Sequence, residues 1–402
     1  MTTAGSDVDI VWNGRRVKAF VPALLGNRDL ELDTRTAQAT ATAAAEVGFA
    51  ASGLGATATA TADSDTHTQA NAGYEPLARL LLRAEGVASS FIEGVRAPVA
   101  DVVMAEEMAT PDRPAAAPDR PAAWVAANLA AVAAAVAEAQ TGRLSVRRLC
   151  DWHRTLMTGG PTSARHVGAI RTEQGWIGGT DPTTAALVTP PPDRLDPLLR
   201  DLVTYGNRTD VDPIAQAAVA HAQFEIVHPF GDGNGRVGRV LVAWILTRRL
   251  HLVVPPPVSV AMAADAGGYL SGLTLFRLGD HNSWVRWFAG ATGKGSQAQR
   301  DLVDQVGALR TRWRDQLAGL RLRQDAGAWR VLELLPRHLV LTSQVVAREC
   351  GFSAKGALAA LTTLEGAGVL TDYGTRSSAP GRPQRVFVSE DLLALTGSNP
   401  LR

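Results

Sequence analysis

His228-Pro229-Phe230-Gly231-Asp232-Gly233-Asn234-Gly235-Arg236-Val237-Gly238-Arg239 is the densest stretch of chemistry in this chain of 402 residues. It holds a base candidate (His228), a hard oxygen ligand (Asp232), an amide (Asn234), interleaved glycines and two arginines. Directly after it, Val237, Val240, Leu241, Trp244 and Ile245 recur at helical spacing, so the segment reads as a loop opening a buried helix. A glycine loop at a helix N-terminus presents free backbone N–H groups and the positive end of the helix dipole, which suits an anion. Arg236 and Arg239 add planar donors matched to phosphate oxygens. The stretch reads as a phosphate cradle with a proton acceptor at its lip.

Outward from this loop the chain reads as mostly helical. Helices are expected upstream over 36–47, 74–108, 124–140, 145–157, 195–205 and 214–227, and downstream over 236–250, 269–278 and 282–323. A short strand pair, 10–12 and 17–20, flanks an Asn13-Gly14 turn signal, while 53–71 and 111–121 read as linkers. Between 168 and 192 the periodicity changes. Segments 171–177 and 185–189 read as extended around Gly178-Gly179-Thr180-Asp181, a hairpin flap closed by Pro190-Pro191-Pro192. From 326 onward, three short helical patterns (329–335, 342–350, 354–366) precede two strand-like pieces (369–373, 384–388), the order of a winged helix-turn-helix. The expected fold class is mainly α: a helical core with a β-hairpin flap and a C-terminal winged helix. The expected units are a partly low-complexity extension (1–73), a catalytic domain with an inhibitory helix (74–300), a connecting helix (301–325) and the winged helix (326–402).

Composition narrows the class without naming a partner. Lys plus Arg (40) balance Asp plus Glu (39), so any basic surface is local. Cys150 and Cys350 cannot form a disulfide framework and show no metal-ligand spacing, which favours a reducing, cytoplasmic setting and small buried thiols. No basic-then-apolar leader is visible, and the apolar run 124–139 is Ala-rich and interrupted, so a soluble protein without a membrane partner is expected. His153 and His221 lie on apolar helical faces and read as core histidines. His67, His166, His251, His281 and His338 lack ligand spacing, so no zinc site is expected.

At every defined position residues 228–239 resemble the signature of the Fic (filamentation induced by cAMP) family, H-x-F-x-[D/E]-G-N-G-R-x-x-R. The resemblance extends over roughly 74–290, through the helical pattern before His228, the Gly178-Gly179 flap and residues 269–288. It implies a Fic-type core and transfer of AMP from ATP to a Ser, Thr or Tyr hydroxyl of a protein target, the chain itself included. His228 would take the hydroxyl proton, and Phe230 would anchor the loop. Asp232 would hold Mg²⁺ across the phosphates. Asn234 would hold an α-phosphate oxygen, the N–H groups around Gly231, Gly233 and Gly235 would cradle growing charge, and Arg236 and Arg239 would bind the β- and γ-phosphates. Gly235 separates this chain from a kinase-like branch in which the position is larger and ATP sits reversed. Tyr269 is placed near the adenine; Asp280, Asn282 and Trp284 are assigned to packing. The flap offers an edge on which a target segment would dock as an added strand, through Ile177, Gly178, Gly179 and Thr180.

Ser89-Ser90-Phe91-Ile92-Glu93-Gly94 matches the family's inhibitory pattern [S/T]-x-x-x-E-[G/N]. The resemblance implies that Glu93, with Ser89 and Gly94, pairs with Arg239 and occupies the γ-phosphate position. In the C-terminal unit Arg376, Arg382 and Arg385 lie where a wing would meet phosphate, but the recognition helix offers only Lys355, followed by Gly356, Ala357 and Leu358. DNA and protein partners both stay open there, as does a homodimer that buries or frees Glu93. Two rival functions follow: a DNA-binding regulator whose Fic core senses nucleotide, and an enzyme that also removes AMP.

Overall fold

The computed structural model describes residues 4–60, 70–108, 121–376 and 384–397. An antiparallel hairpin comes first: β1 (Ser6–Trp12) pairs with β2 (Arg15–Val21), with Trp12 opposite Arg15. Its turn residues Asn13 (φ 47°) and Gly14 (φ 78°) both have positive φ, the requirement that an Asn-Gly pair meets most easily. Helices follow: α1 (Thr34–Ala60), α2 (Ala70–Ile92), α3 (Val99–Met108), α4 (Pro121–Ala139) and α5 (Val146–Met157). The flap is a minimal hairpin, β3 (Trp176–Ile177) against β4 (Leu187–Val188). Next come α6 (Leu195–Gly206), α7 (Pro213–Val227), α8 (Asn234–Arg249), α9 (Val258–Ala264), α10 (Ala266–Arg277) and α11 (His281–Gly319). The chain closes with α12 (Gly327–Leu332), β5 (Val340–Thr342), α13 (Ser343–Cys350), α14 (Ala354–Gly366), β6 (Thr371–Arg376), β7 (Gln384–Val388) and α15 (Glu390–Gly397). The described chain is mainly α.

Two central helices carry the main core. α7 is buried on every side, with Ala217, Ala218, Ala220 and Ala222 letting its neighbours approach closely. In α8, Val237, Val240, Leu241, Trp244 and Ile245 are all fully buried. α4 and α5 pack against α8, while α1, α6, α10 and α11 pack against α7. α4 is long and apolar enough to cross a membrane by composition, yet more than half of it is buried against neighbouring helices of the protein.

A second core joins α2 to the C-terminal unit. Leu77, Leu80 and Leu81 of α2 cluster with Trp313 of α11, with Val331, Leu361 and Phe387, and with Leu392 of α15. The C-terminal strands form one antiparallel sheet in the order β5-β7-β6. Arg385 pairs with Asp372 and lies 3.6 Å from Glu365, so its charge is already satisfied rather than held out for phosphate. Arg382 lies outside the described residues.

Several boundaries differ from the sequence reading. α1 runs through Gly53 to Ala60 because it packs along α11; the rest of the expected linker, up to residue 69, lies outside the described residues, as do 109–120. The helix expected over 74–108 is two: α2 ends at Ile92, and Gly94 (φ 76°) supplies the left-handed residue that stops it. The flap strands are shorter than expected. α9, β5 and α15 were not foreseen.

Candidate active site

The motif loop is held rigidly between its two helices. Asp212 caps α7 by accepting from the Ala215 N–H (2.8 Å), with Pro213 at the first helical position. α7 ends at His228, whose backbone is left-handed (φ 48°, ψ 59°), a conformation costing a non-glycine residue about 1–2 kcal/mol. Surrounding bonds over-determine it. His228 N–H donates to Phe224 O (2.9 Å), and Arg171 Nε donates to His228 O (2.8 Å). Further on, the Asn234 amide clamps Phe230, accepting from its N–H (2.9 Å) and donating to its C=O (2.8 Å). Gly233 (φ 75°) turns the chain into α8, and a Cβ there would press on Met157 Sδ at 2.8 Å. Under the loop, His153 stacks on Phe230 (centroids 4.0 Å apart, planes within 3°). Its Nδ1 accepts from Gly168 N–H (2.8 Å), so Nε2 carries the proton and donates to Asp232 O (3.1 Å). Burial pulls this imidazole down to about 4. His153 is a neutral strut for the loop.

His228 is fixed in the opposite sense. Its Nδ1 lies 3.2 Å from Glu225 O, one turn back on α7, and must donate to that carbonyl. Nε2 therefore holds the lone pair and has no partner among the described residues. Burial, despite that hydrogen bond, lowers the ring to about 4, so it is a neutral base at physiological pH. It borders a groove of about 290 Å³ lined by Glu173, Gln174, Gly175 and Trp176, on the β3 side of the flap.

Arg171 ties the flap to the motif. Besides His228 O, it donates to Glu173 O (2.8 Å), Thr189 Oγ1 (3.0 Å) and Pro190 O (2.7 Å), and its N–H donates to Pro229 O (2.9 Å). It faces no carboxylate among the described residues, and burial lowers its pKa to about 10. Nothing in the sequence marked this residue. Arg171→Met strands several buried carbonyls, a loss of about 3 kcal/mol, or roughly 3–6 °C in melting midpoint for a chain of this size. Arg171→Lys should recover little, because an ammonium cannot reproduce the fork. A midpoint for Arg171→Met within a degree or so of the parent would show that the flap is held otherwise.

On the far side of the loop, Arg239 is 1 % exposed and faces the end of α2. Its Nε donates to Ser89 Oγ, and its Nη2 donates to Ser89 O and to Glu93 Oε1, each at 2.8 Å. Burial opposes the charge on both partners, yet their mutual attraction outweighs it: Glu93 is held below the usual carboxylate range and Arg239 above its own. The Glu93 carboxylate lies against the first turn of α8, where a Cβ on Gly235 would collide with it. The N–H groups of Asn234, Gly235 and Arg236 take no partner among the described residues, so the carboxylate sits where an anion is favoured. Arg236 is buried and has no ion pair among the described residues; its Nη2 lies 3.6 Å from Met157 Sδ, and burial lowers its pKa. Beside it, the exposed Asp232 carboxylate accepts from Gly233 N–H (2.6 Å). Glu93, Asp232 and Arg236 line a cavity of about 150 Å³.

Residues 143–246 match the Fic/DOC family. The chain carries a Fic domain. Protein adenylyltransferase fic-1 of Caenorhabditis elegans is 32% identical over 171 residues, which are 42% of this chain and 30% of that protein. A probable protein adenylyltransferase of Aquifex aeolicus is 43% identical over 63 residues, 15% of this chain and 20% of that protein. The chain thus spans about a third or less of the curated relatives it matches. A Fic family protein from Desulfovibrio desulfuricans G20 superposes with a TM-score of 0.49 at 21% identity, covering 87% of this chain and 95% of that one.

The structure brings Ser89, Glu93 and Gly94, from outside the matched residues, beside the loop that holds His228, Gly231, Asp232, Gly233, Asn234, Gly235, Arg236 and Arg239. One role needs correction. Tyr269 is 4 % exposed, its hydroxyl 2.8 Å from His221 Nε2 and its ring packed on Trp284 and Trp287, so no face is left for an adenine. Asn234 also clamps Phe230, which commits one of its two amide N–H groups. The flap residues Ile177, Gly178 (φ 70°), Gly179 (φ 69°) and Thr180 lie at the hairpin tip, half-buried or exposed. Asp280 caps α11, Asn282 accepts from Asp33 N–H and Trp284 donates to Ala218 O, which are packing roles as expected.

Proposed function

We propose that this chain is a protein adenylyltransferase, transferring AMP from ATP to a hydroxyl side chain of a protein, and that Glu93 holds it in check. The observation that carries the reading is the orientation of His228: Nδ1 is committed to Glu225 O, so Nε2 presents its lone pair at the flap groove, next to an anion cradle. A target hydroxyl in that groove loses its proton to Nε2 as its oxygen attacks the α-phosphorus. The α–β bridging bond breaks and pyrophosphate leaves. The open N–H groups at the start of α8 face the charge that grows on the α-phosphate oxygens. Arg236, lacking a counter-ion among the described residues, and Arg239, once Glu93 departs, hold the outer phosphates. Among the described residues no cluster of three or more acidic, His or Cys groups forms a metal cage. A single exposed carboxylate suits Mg²⁺, which takes most of its ligands from water and phosphate. Asp232 would hold that ion, which would neutralise charge on the departing pyrophosphate.

Autoinhibition is part of the same proposal. A cavity of about 150 Å³ is small for a nucleotide, since pockets for such ligands run to about 300–1,000 Å³, and the Glu93 carboxylate fills the neighbouring anion seat. The C-terminal unit has the element order of a winged helix, but Arg385 is already neutralised, so no observation favours DNA over a protein partner.

The test is label transfer from ATP with Mg²⁺, using the Glu93→Gly protein and, in parallel, α- and γ-labelled nucleotide. AMP transfer labels protein from the α position alone. Label from the γ position would mean phosphoryl transfer, and label from neither would remove the enzymatic reading.

A further inference from the structure

α2 presents two stripes at helical spacing. Glu85, Ser89 and Glu93 face inward: Glu85 binds Ser259 through its N–H (2.8 Å) and its hydroxyl, while Ser89 and Glu93 hold Arg239. Ala84, Ala88 and Phe91 form the other stripe and line a cavity of about 550 Å³, closed by Val260 of α9, Leu302 of α11 and Leu395 of α15. This volume lies in the range of small-molecule pockets, about 300–1,000 Å³, and it is larger than either cavity flanking the motif loop.

Its polar groups are unequal. Asp301 already accepts from Gln297 Nε2 (2.6 Å). Arg96, at the exposed rim, lies over the Phe91 ring (4.6 Å to the centroid) and has no carboxylate within ion-pair reach among the described residues. Asp301 keeps its charge, but its contact with Gln297 leaves the Arg96 guanidinium, without an ion pair among the described residues, as the open donor at the mouth of an apolar chamber. Such a chamber suits a molecule with an apolar body and one anionic end.

We propose that this cavity is a second ligand site, taking a small amphipathic organic anion with its apolar body against Ala84, Ala88 and Phe91 and its acid group on Arg96. Because its wall is the reverse face of the helix that carries Ser89 and Glu93, occupancy bears on the Arg239 contact; that link, unlike the site itself, rests on the proposed autoinhibition.

Titration of the full chain with anilinonaphthalene sulfonate, followed by fluorescence and competed with decanoate, tests it. Saturable binding at one site per chain is expected, weakened about tenfold by Arg96→Gln, which removes one charge-assisted contact. Ala88→Trp, which fills the chamber, should abolish it; its fold is checked by circular dichroism, and Arg96→Gln, at the exposed rim, stands if Ala88→Trp does not fold. No saturable binding, or binding untouched by Arg96→Gln, overturns the site. Bound dye should also raise labelling from ATP in the parent and leave Glu93→Gly unchanged. Binding without that rise overturns the link to Glu93 while the site stands, and absence of labelling in Glu93→Gly itself fails the enzymatic reading instead.

Discussion

In a protein freed by Glu93→Gly, His228→Ala should reduce AMP transfer by about 10²–10⁴-fold, the usual worth of a positioned general base. ATP binding should change little, because His228 reaches no part of the anion cradle. The pH profile gives a second, sharper signature. Burial lowers this imidazole to about 4, so Nε2 stays unprotonated as the pH falls through the range where an ordinary histidine charges. Between about pH 7.5 and about pH 5.5 the rate should fall by less than twofold or so, where a base of ordinary pKa would lose about tenfold. Activity is then lost as the pH approaches the depressed value. A profile breaking near the ordinary histidine value would show that the ring is solvated in the working state, and an active His228→Ala protein would assign the base elsewhere.

How much of this was legible in the sequence depends on whether a residue acts through its neighbours in the chain or across the fold. The pair α7 and α8 was readable because apolar residues recur through both at helical spacing, and the motif between them carries its geometry in local spacing. The inhibitory turn was readable as a pattern but not as a shape. Gly94 ends α2 in the left-handed region directly after Glu93, which stands one turn beyond Ser89 and meets the same Arg239. Three features were invisible because each is a contact between distant segments. Arg171 is an arginine surrounded by carbonyl oxygens, which no local pattern announces. His153 supports the loop from 79 residues away. Tyr269 turns inward on α10 with Gly272 and Phe276, but the groups that enclose it, His221 and Trp287, come from other helices. α9 is only seven residues long and follows Pro255, Pro256 and Pro257, with Pro257 directly before its first turn.

Glu93→Gly should raise labelling from ATP by about tenfold to thirtyfold. The contact is a charge-assisted hydrogen bond, worth about 1.5–3 kcal/mol when buried. Glu93 is 34% exposed, so solvent trims the figure to about 1.5–2 kcal/mol. Substitution also empties the anion seat beside Gly235 without touching the phosphate donors, since Ser89 can keep its hold on Arg239 Nε. Glu93→Gln separates charge from shape: it fills the same space but loses the ionic part, and should release only part of the activity. The pH dependence of the inhibition follows from the lowered pKa of Glu93. A depressed carboxylate keeps its charge at neutral pH, so the inhibitory contact is fully present above the ordinary glutamate range and is lost only as the pH falls through the depressed value. Mild acidification should therefore not activate the parent protein. If Glu93→Gly and the parent label at the same rate, with ATP saturating both, the Arg239 contact is a structural pair and the check on this site lies elsewhere.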